Sequence, residues 1–386
     1  MSAAHLVFLS GEYPPDPGGV SDHTFLLARA LVSRGIVPVV LCGGTSGQAH
    51  ESGLEVHRVA GGFGPRRWPT MARTLRNRPG RRVLWVQYAP HSMGLRGMNA
   101  PLALWLAWRV WFHGDRVVAY FHEVAFPFRG PWRHRVLAVA QNLMAGIVVA
   151  SASMALATTE AWLPRLESLG IRRGTVKVLP VFSNVPEEVN PQAAEARRAR
   201  VLSETGAERL VAHFGTYGGG VAALLRETLA AFPHDDRSQF LLLGRRAGNW
   251  LASHGCKPWA ARCRVVDETD AEALAETLAA CDAAMQPYPD GVTTRRTTVM
   301  SALALGVPVV SNMGPLSDRS WAVDKPCAGL AQRPDGIALA GQLSDLLNLS
   351  PAERATLGAW GKAWYRMSAS RAVAARAVAD IMATLA

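Results

Sequence analysis

Arg295, Arg296, Thr297 and Thr298 open a short apolar run that Gly306 ends, inside the segment PYPDGVTTRRTTVMSALALGVPVVSN at 287–312. Ser or Thr at the start of such a run and Gly just past its end are helix boundary signals. A helix N-terminus presents free N–H groups and a partial positive charge, and so draws phosphate. Two guanidinium groups beside it add forked donors suited to a diphosphate. An ordinary loop, helix and strand with two solvated arginines fits the same letters, and local sequence leaves both readings open.

Three other stretches carry polar or glycine-rich groups where a strand should end. Gly11-Glu12-Tyr13-Pro14-Pro15-Asp16-Pro17-Gly18-Gly19-Val20-Ser21-Asp22-His23 follows an apolar strand and precedes a helical run. Its Gly-Gly pair lets backbone N–H groups approach a ligand, and its prolines stiffen the approach; a plain turn is the alternative. Tyr120-Phe121-His122-Glu123 ends another apolar strand, where a polar pair faces a crevice or forms a structural His–Glu contact. His213-Phe214-Gly215-Thr216-Tyr217-Gly218-Gly219-Gly220 is again strand into helix, a phosphate cradle or a flexible turn. It does not match GxGxxG and no acidic residue closes a dinucleotide unit, which argues against a nicotinamide enzyme. Leu243-Gly244-Arg245-Arg246 adds a basic pair at one more strand exit.

These motifs need a scaffold of strands spaced by helices, and the pattern supplies one. In the first half strands are expected at His5–Leu9, Val37–Cys42, Val83–Gln87, Val117–Phe121 and Ala155–Thr158, with 176–182 closing it. Helices are expected at Ser21–Ser33, Leu102–Trp111 and Trp132–Ala145. The alternation restarts with Leu210–Phe214, Phe240–Leu243, Val265–Val266 and Ala283–Gln286 as strands and Val221–Phe232 and Glu272–Ala280 as helices. Such alternation implies parallel sheets covered on both faces, hence two Rossmann-like blocks with ligands at the carboxyl ends of the strands. The Pro-, Glu- and Arg-rich stretch Ser183–Glu208 is expected to hold the connection, and Pro351–Ala386 to be helical throughout.

Composition bounds the function. With 386 residues the chain exceeds one ordinary core. Hydrophobic residues at 49% and charged residues at 18% indicate a folded globule rather than a disordered chain. The formal charge of +11 rests on 37 Arg and 4 Lys, which favours anionic partners such as nucleotides, phosphates or an acidic membrane surface. The arginines are scattered, unlike the dense basic arm of a nucleic-acid binder, so no nucleic-acid partner is expected. Five cysteines, an odd count without CxxC pairs or His partners, argue against both a disulfide framework and a zinc site. The longest apolar stretch, Val136 to Ala157, is interrupted by Gln141, Asn142, Ser151 and Ser153, and a helix leading into a buried strand explains it better than a membrane span. With no leader-like start, a cytoplasmic protein is expected.

EYPPDPGGVSDHTFLLARALVSRG at the amino end, FHE after a middle strand and SALALGVPVVSN in the second half stand in one order across nearly the whole chain. In this the chain resembles the retaining GT-B glycosyltransferases of the group one, family four type. The resemblance implies an α/β GT-B fold, two Rossmann-like domains facing each other across a cleft. It places an acceptor domain at 1–183, a nucleotide-sugar donor domain at 184–365 and a C-terminal helix at 366–386 that returns to the first domain. It implies that Gly18 and Gly19 lie against donor phosphates and acceptor, and that His122 contacts the donor sugar. Gly215 and Thr216 would flank the diphosphate. The Asp290–Thr298 loop, with Thr293, Thr294, Thr297 and Thr298, would hold sugar, phosphate and ribose together with the following helix and Ser301. Asp22, His23 and Glu123 are the candidates on the acceptor side.

The departures are equally specific. Glutamates that the family places on the sugar and ribose hydroxyls are Thr293 and Ser301 here, and its Arg–Lys pair after the first strand of the second domain is replaced by Thr-Tyr-Gly-Gly-Gly. Each lost charged hydrogen bond is worth roughly 1.5–3 kcal/mol, so the positive charge must come from elsewhere, and Arg295, Arg296 and Arg245 are the residues able to supply it. The expected reaction is metal-independent transfer of a hexose-type sugar from a nucleotide diphosphate donor to a hydroxyl acceptor, with retained configuration and no cofactor beyond the co-substrate. His122, Arg295 and Arg296 are the expected catalytic groups. The acceptor is open among small molecules, saccharides and lipid-linked species. A binding or scaffold protein of the same fold that has lost turnover stays open, as does peripheral attachment to a membrane through the Trp-rich segment Pro101–His113.

Overall fold

Parallel strands buried on both faces must be apolar along their whole length, and Val83-Leu84-Trp85-Val86 and Leu241-Leu242-Leu243 are fully buried runs of that kind. The structure, a computed structural model, describes residues 4–44, 47–51, 53–78, 80–128, 130–233 and 237–385. Its elements are β1 (His5–Ser10), α1 (Gly19–Val32), β2 (Val39–Gly44), β3 (Gly47–Glu51), β4 (Leu54–Ala60), α2 (Trp68–Arg76), β5 (Arg82–Tyr88), α3 (Ala100–His113), β6 (Arg116–Phe121), α4 (Trp132–Ser151), β7 (Met154–Ala157), α5 (Leu163–Ser168) and β8 (Lys177–Val178). There follow α6 (Pro191–Thr205), β9 (Arg209–Phe214), α7 (Gly219–Ala231), β10 (Ser238–Leu243), α8 (Ala247–Ala252), β11 (Cys263–Val266), α9 (Ala271–Ala279) and β12 (Ala283–Met285). The chain ends with α10 (Thr297–Leu305), β13 (Val309–Asn312), α11 (Arg319–Asp324), β14 (Gly329–Ala331), α12 (Gly336–Asn348), α13 (Pro351–Ser368) and α14 (Arg371–Leu385).

Two compact units result, Met1–Pro180 with Arg371–Ala386, and Val181–Ser370. The first holds the sheet β3-β4-β2-β1-β5-β6-β7-β8, parallel except for β3. The second holds the parallel sheet β11-β10-β9-β12-β13-β14. Strand order reverses between β1 and β5 in one unit and between β9 and β12 in the other. A crevice opens at the carboxyl ends of the strands at such switch points. The loops leaving β1, β9 and β12 are three of the glycine-bearing segments singled out in the sequence.

Several expectations shift. The connection was expected within Ser183–Glu208, but α6 occupies most of that stretch and belongs to the second unit. Asn190 caps it, Pro191 suits its first turn, and Arg197 reaches Glu268 and Glu276 at 2.6 and 2.7 Å. Of 176–182, only Lys177–Val178 extends the first sheet; Val181 N–H already bonds Thr294 O in the second unit at 3.0 Å. The units therefore change at Pro180/Val181 and Ser370/Arg371 rather than at 183/184 and 365/366. The hairpin of β3 and β4 had no place in the sequence reading. The C-terminal helix α14 packs on α1, with Arg34 bonding Ala372 O, and its buried Ala374, Ala375, Val378, Ile381 and Met382 recur at helical spacing. The apolar stretch from Val136 to Ala157 runs from within α4 into β7. None of the five cysteines forms a disulfide.

Candidate functional site

In the second unit the site begins with how β9 and β12 are joined beyond their short ladder. His213 on β9 is buried and its Nδ1 lies 2.8 Å from Met285 O on β12. The Gln286 side-chain amide donates to Phe214 O and accepts from Phe214 N, both at 3.1 Å. These bonds fix the two strand ends from which the loops at 215–218 and 286–296 leave. Gly244, after β10, has φ +108°, and a Cβ there would come 2.3 Å from Gly215 O, so only glycine allows these strand exits to approach.

Asn312 then holds the loop after β12, accepting from Tyr288 N at 2.9 Å and donating to Tyr288 O at 2.7 Å. Asp318 accepts from Thr294 N at 2.6 Å. The loop delivers α10 with Arg296 at its cap position and no side chain capping its first turn, while Gly306 closes it in the left-handed region at φ +77°. Asp290 accepts from both arginines, Arg295 Nη2 at 3.1 Å and Arg296 Nη2 at 2.5 Å. The Arg296 guanidinium lies 4.3 Å from the Tyr288 ring centre, and the Tyr288 hydroxyl meets Thr298 Oγ1 at 2.8 Å. Both arginines are partly exposed. Of the two readings that the local sequence left open, the arginines form a positioned cluster rather than a solvated pair: two cations on one carboxylate at an uncapped helix start. Its net charge is one positive unit, plus the partial charge of α10.

Buried Thr293 Oγ1 and Arg296 Nε have no partner among the described residues, which in a folded protein asks for an explanation. A phosphate or sugar hydroxyl would give one. Ser301 departs from its expected role. It is fully buried, with its hydroxyl on Thr297 O at 2.9 Å, Asn184 Oδ1 at 3.2 Å and Ser183 Oγ at 3.1 Å, so it braces α10 within the unit. Thr216 and Arg245 are exposed at the neighbouring strand exits, and Gly215 bonds Leu243 O through its N–H at 3.1 Å.

In the first unit, β6 carries His122 to its end. The ring is buried between His23, 5.1 Å away, and Tyr120, 4.7 Å away. Nε2 meets Gln87 Oε1 at 2.7 Å, and Trp162 Nε1 donates to the His122 carbonyl at 3.0 Å. With the Gln87 oxygen as acceptor, the proton is on Nε2 and Nδ1 is left as an acceptor. Burial pulls the His122 pKa down to about 3 and that of His213 to about 4, and burial followed by His122 lowers that of His23. His122 is therefore neutral at physiological pH and too weak a base to take up a proton there, so a catalytic contribution from it, as the sequence led us to expect, cannot rest on proton uptake.

The Gly18-Gly19 helix start also departs from expectation. Glu12 turns its carboxylate onto the start of α1, accepting from Ser21 N at 3.3 Å, and a Cβ on Gly18 would fall 2.2 Å from Glu12 Oε1. Burial pushes the Glu12 carboxyl up. The anion-binding end of α1 is thus already covered by an acid of the chain, with Asp22 in its first turn, and is a poor seat for donor phosphate. Glu123 is half-buried beside His122, and its N–H donates at 3.3 Å to Tyr88 O, which also accepts from His122 N–H at 2.9 Å. Gln87, Glu12, Tyr288 and Asp318 were not among the residues expected to act. Tyr288 and Glu12 lie inside quoted motifs, whereas no local signal marks Gln87 or Asp318. Among the described residues no group of three or more His, Cys, Asp or Glu could hold a metal ion.

The buried histidines make a testable demand on stability. An unfolded histidine titrates near 6.5, well above the folded values for His122 and His213, so below that pH the unfolded chain takes up protons that the folded chain refuses. Stability is therefore highest above 6.5 and is lost as pH falls towards the folded values. Urea midpoints should drop from about pH 7 to about pH 5, and His122→Gln with His213→Gln should flatten that slope.

Comparison with known proteins adds to this geometry. Residues 17–182, nearly all in the first unit, match the family described as Glycosyltransferase Family 4. HepE of Anabaena, solved with UDP and glucose, is similar in structure with a TM-score of 0.68 at 15% identity, over 99% of this chain and 100% of that one. Sucrose-phosphate synthase from Thermosynechococcus elongatus aligns at TM-score 0.74 and 17% identity over 99% of each chain. An alpha,alpha-trehalose-phosphate synthase (UDP-forming) from Burkholderia vietnamiensis aligns at TM-score 0.68 and 12% identity, again over 99% of each. No curated protein sequence matches significantly.

Proposed function

With a GT-B fold spanning both units, and a glycosyltransferase family 4 match over 17–182, we propose that the protein is a glycosyltransferase that moves a hexose-type sugar from a nucleoside diphosphate donor to a hydroxyl acceptor. The observation that carries the reading is the uncapped start of α10 with Arg295 and Arg296 set on Asp290, at the switch point of the second sheet. Breaking the bond between sugar and phosphate puts negative charge on the departing diphosphate. Fixed N–H groups and guanidinium groups stabilise that charge without reorganising. These donors need no metal, and the reading is metal-independent. UDP is the first nucleotide to test, since similar folds were solved with UDP and UDP-glucose. The family resemblance implies that His122, held neutral, contacts the sugar. Retention follows from the resemblance: no side chain is assigned as nucleophile, and the departing phosphate takes the acceptor proton on the face it leaves.

Release of UDP from a panel of UDP-hexoses, with EDTA present, tests the reading. Turnover or slow hydrolysis of one sugar is expected, with NMR of the first product showing the donor's anomeric configuration. A second reading, a binder without turnover, draws on Ser301, which is buried where relatives place a ribose-gripping acid. Saturable binding with no hydrolysis or transfer on any acceptor would favour it.

A further inference from the structure

The helices α3 and α4 flank the first sheet on adjacent positions, and each carries two apolar stripes. The inner ones, with Trp105 and Leu106 on α3 and Met144, Ala145 and Val148 on α4, enter the core. The outer ones face water: Leu104, Trp108, Trp111 and Phe112 on α3, and Trp132, Val136, Val139 and Leu143 on α4. Their spacing is helical, so each set is one continuous face. Trp111, Phe112 and Trp132 are 70%, 72% and 69% exposed, values a solitary surface residue reaches but a patterned double stripe does not reach by chance. Neither helix contains an acidic residue, and between 91 and 151 the acids are Asp115, buried on Arg82 and Arg109, and half-buried Glu123. Among the described residues between 91 and 151 the exposed arginines are Arg96, Arg116, Arg133 and Arg135.

We infer that this face docks on an anionic lipid bilayer, with α3 and α4 lying in the interface. Trp and Phe beside arginine are the composition of a surface that sits among headgroups, and the chain's net charge of +11 draws it to an acidic surface. A second copy of the chain fits less well, because a two-fold contact would set Arg133 and Arg135 against their own counterparts. Although α4 is long and apolar enough to cross a membrane by length and composition, its inner stripe is committed to the core, so it lies on the surface and does not span. The inference uses the surface alone and is independent of the glycosyltransferase reading.

The test is co-sedimentation of the full chain with phosphatidylcholine vesicles, with and without phosphatidylglycerol. Two variants are compared, Trp111→Ser/Phe112→Ser/Trp132→Ser and Arg133→Gln/Arg135→Gln. The wild type should bind the phosphatidylglycerol vesicles and much less the neutral ones, and each variant should bind roughly tenfold or more weakly. Since the side chains point outward, the thermal midpoint of both variants should stay that of the wild type. No binding to any vesicle, or binding untouched by both variants, would overturn the inference. Self-association that the apolar variant abolishes, without vesicle binding, would overturn it in favour of a second copy.

Discussion

Replacing both Arg295 and Arg296 by alanine should weaken nucleotide-sugar binding by roughly a hundredfold to ten-thousandfold, from two charged hydrogen bonds of about 1.5–3 kcal/mol each. The loss should exceed simple truncation, because Asp290 would then face the phosphate with its carboxylate uncovered. Substituting lysine at both positions keeps the charge but not the fork, and the Tyr288 stack favours the planar guanidinium, so only part of the affinity should return. Calorimetric titration of both variants checks this. Equal affinity in the alanine variant would remove the cluster from the donor site. Both arginines are partly exposed, so folding should survive and the titration remain interpretable.

The largest expected effect on stability lies elsewhere. Asp115 has a fully buried carboxylate that accepts from Arg82 Nε at 2.6 Å and from Arg109 at 2.6 Å. Through these bonds the end of α3 is tied to the start of β5. Asp115→Ala would leave two guanidinium groups facing an emptied site, and breaking a buried pair in this way costs about 3–5 kcal/mol. Denaturant unfolding should show that loss, whereas Arg82→Met/Asp115→Leu/Arg109→Met, which removes all three charges, should recover much of it. A drop below about 1 kcal/mol in the single variant would mean that water reaches the pair.

How much of this was legible can be traced residue by residue. The α10 start and its Gly306 stop are local signals, and the structure has the helix at Thr297–Leu305. The alternation of apolar runs with helical ones located most strands of both sheets, because a strand buried on both faces has no polar alternation to blur it. What failed to show was long-range pairing. Asp290 holding two arginines, Ser301 meeting Ser183 and Asn184, and Asp318 reaching Thr294 all depend on how loops close in space. Glu12 misled for a different reason: the Gly-Gly signal was read as an open anion site, while an acid six residues before Gly18 folds back to occupy it. The charged stretch behind Ser183 was read as a connection, although Pro at the first turn and an Arg- and Ala-rich run also write a helix.

The central claim is that the start of α10 seats the diphosphate of a nucleotide sugar. Thermal unfolding of the wild type and of the double alanine variant, with UDP, UDP-hexoses and other nucleotides added in the presence of EDTA, tests it most directly. The wild-type midpoint should rise with a nucleoside diphosphate or its sugar, by mass action on the folded state, and that of the variant should not. A wild type that no nucleotide stabilises, or a variant stabilised equally, would contradict it.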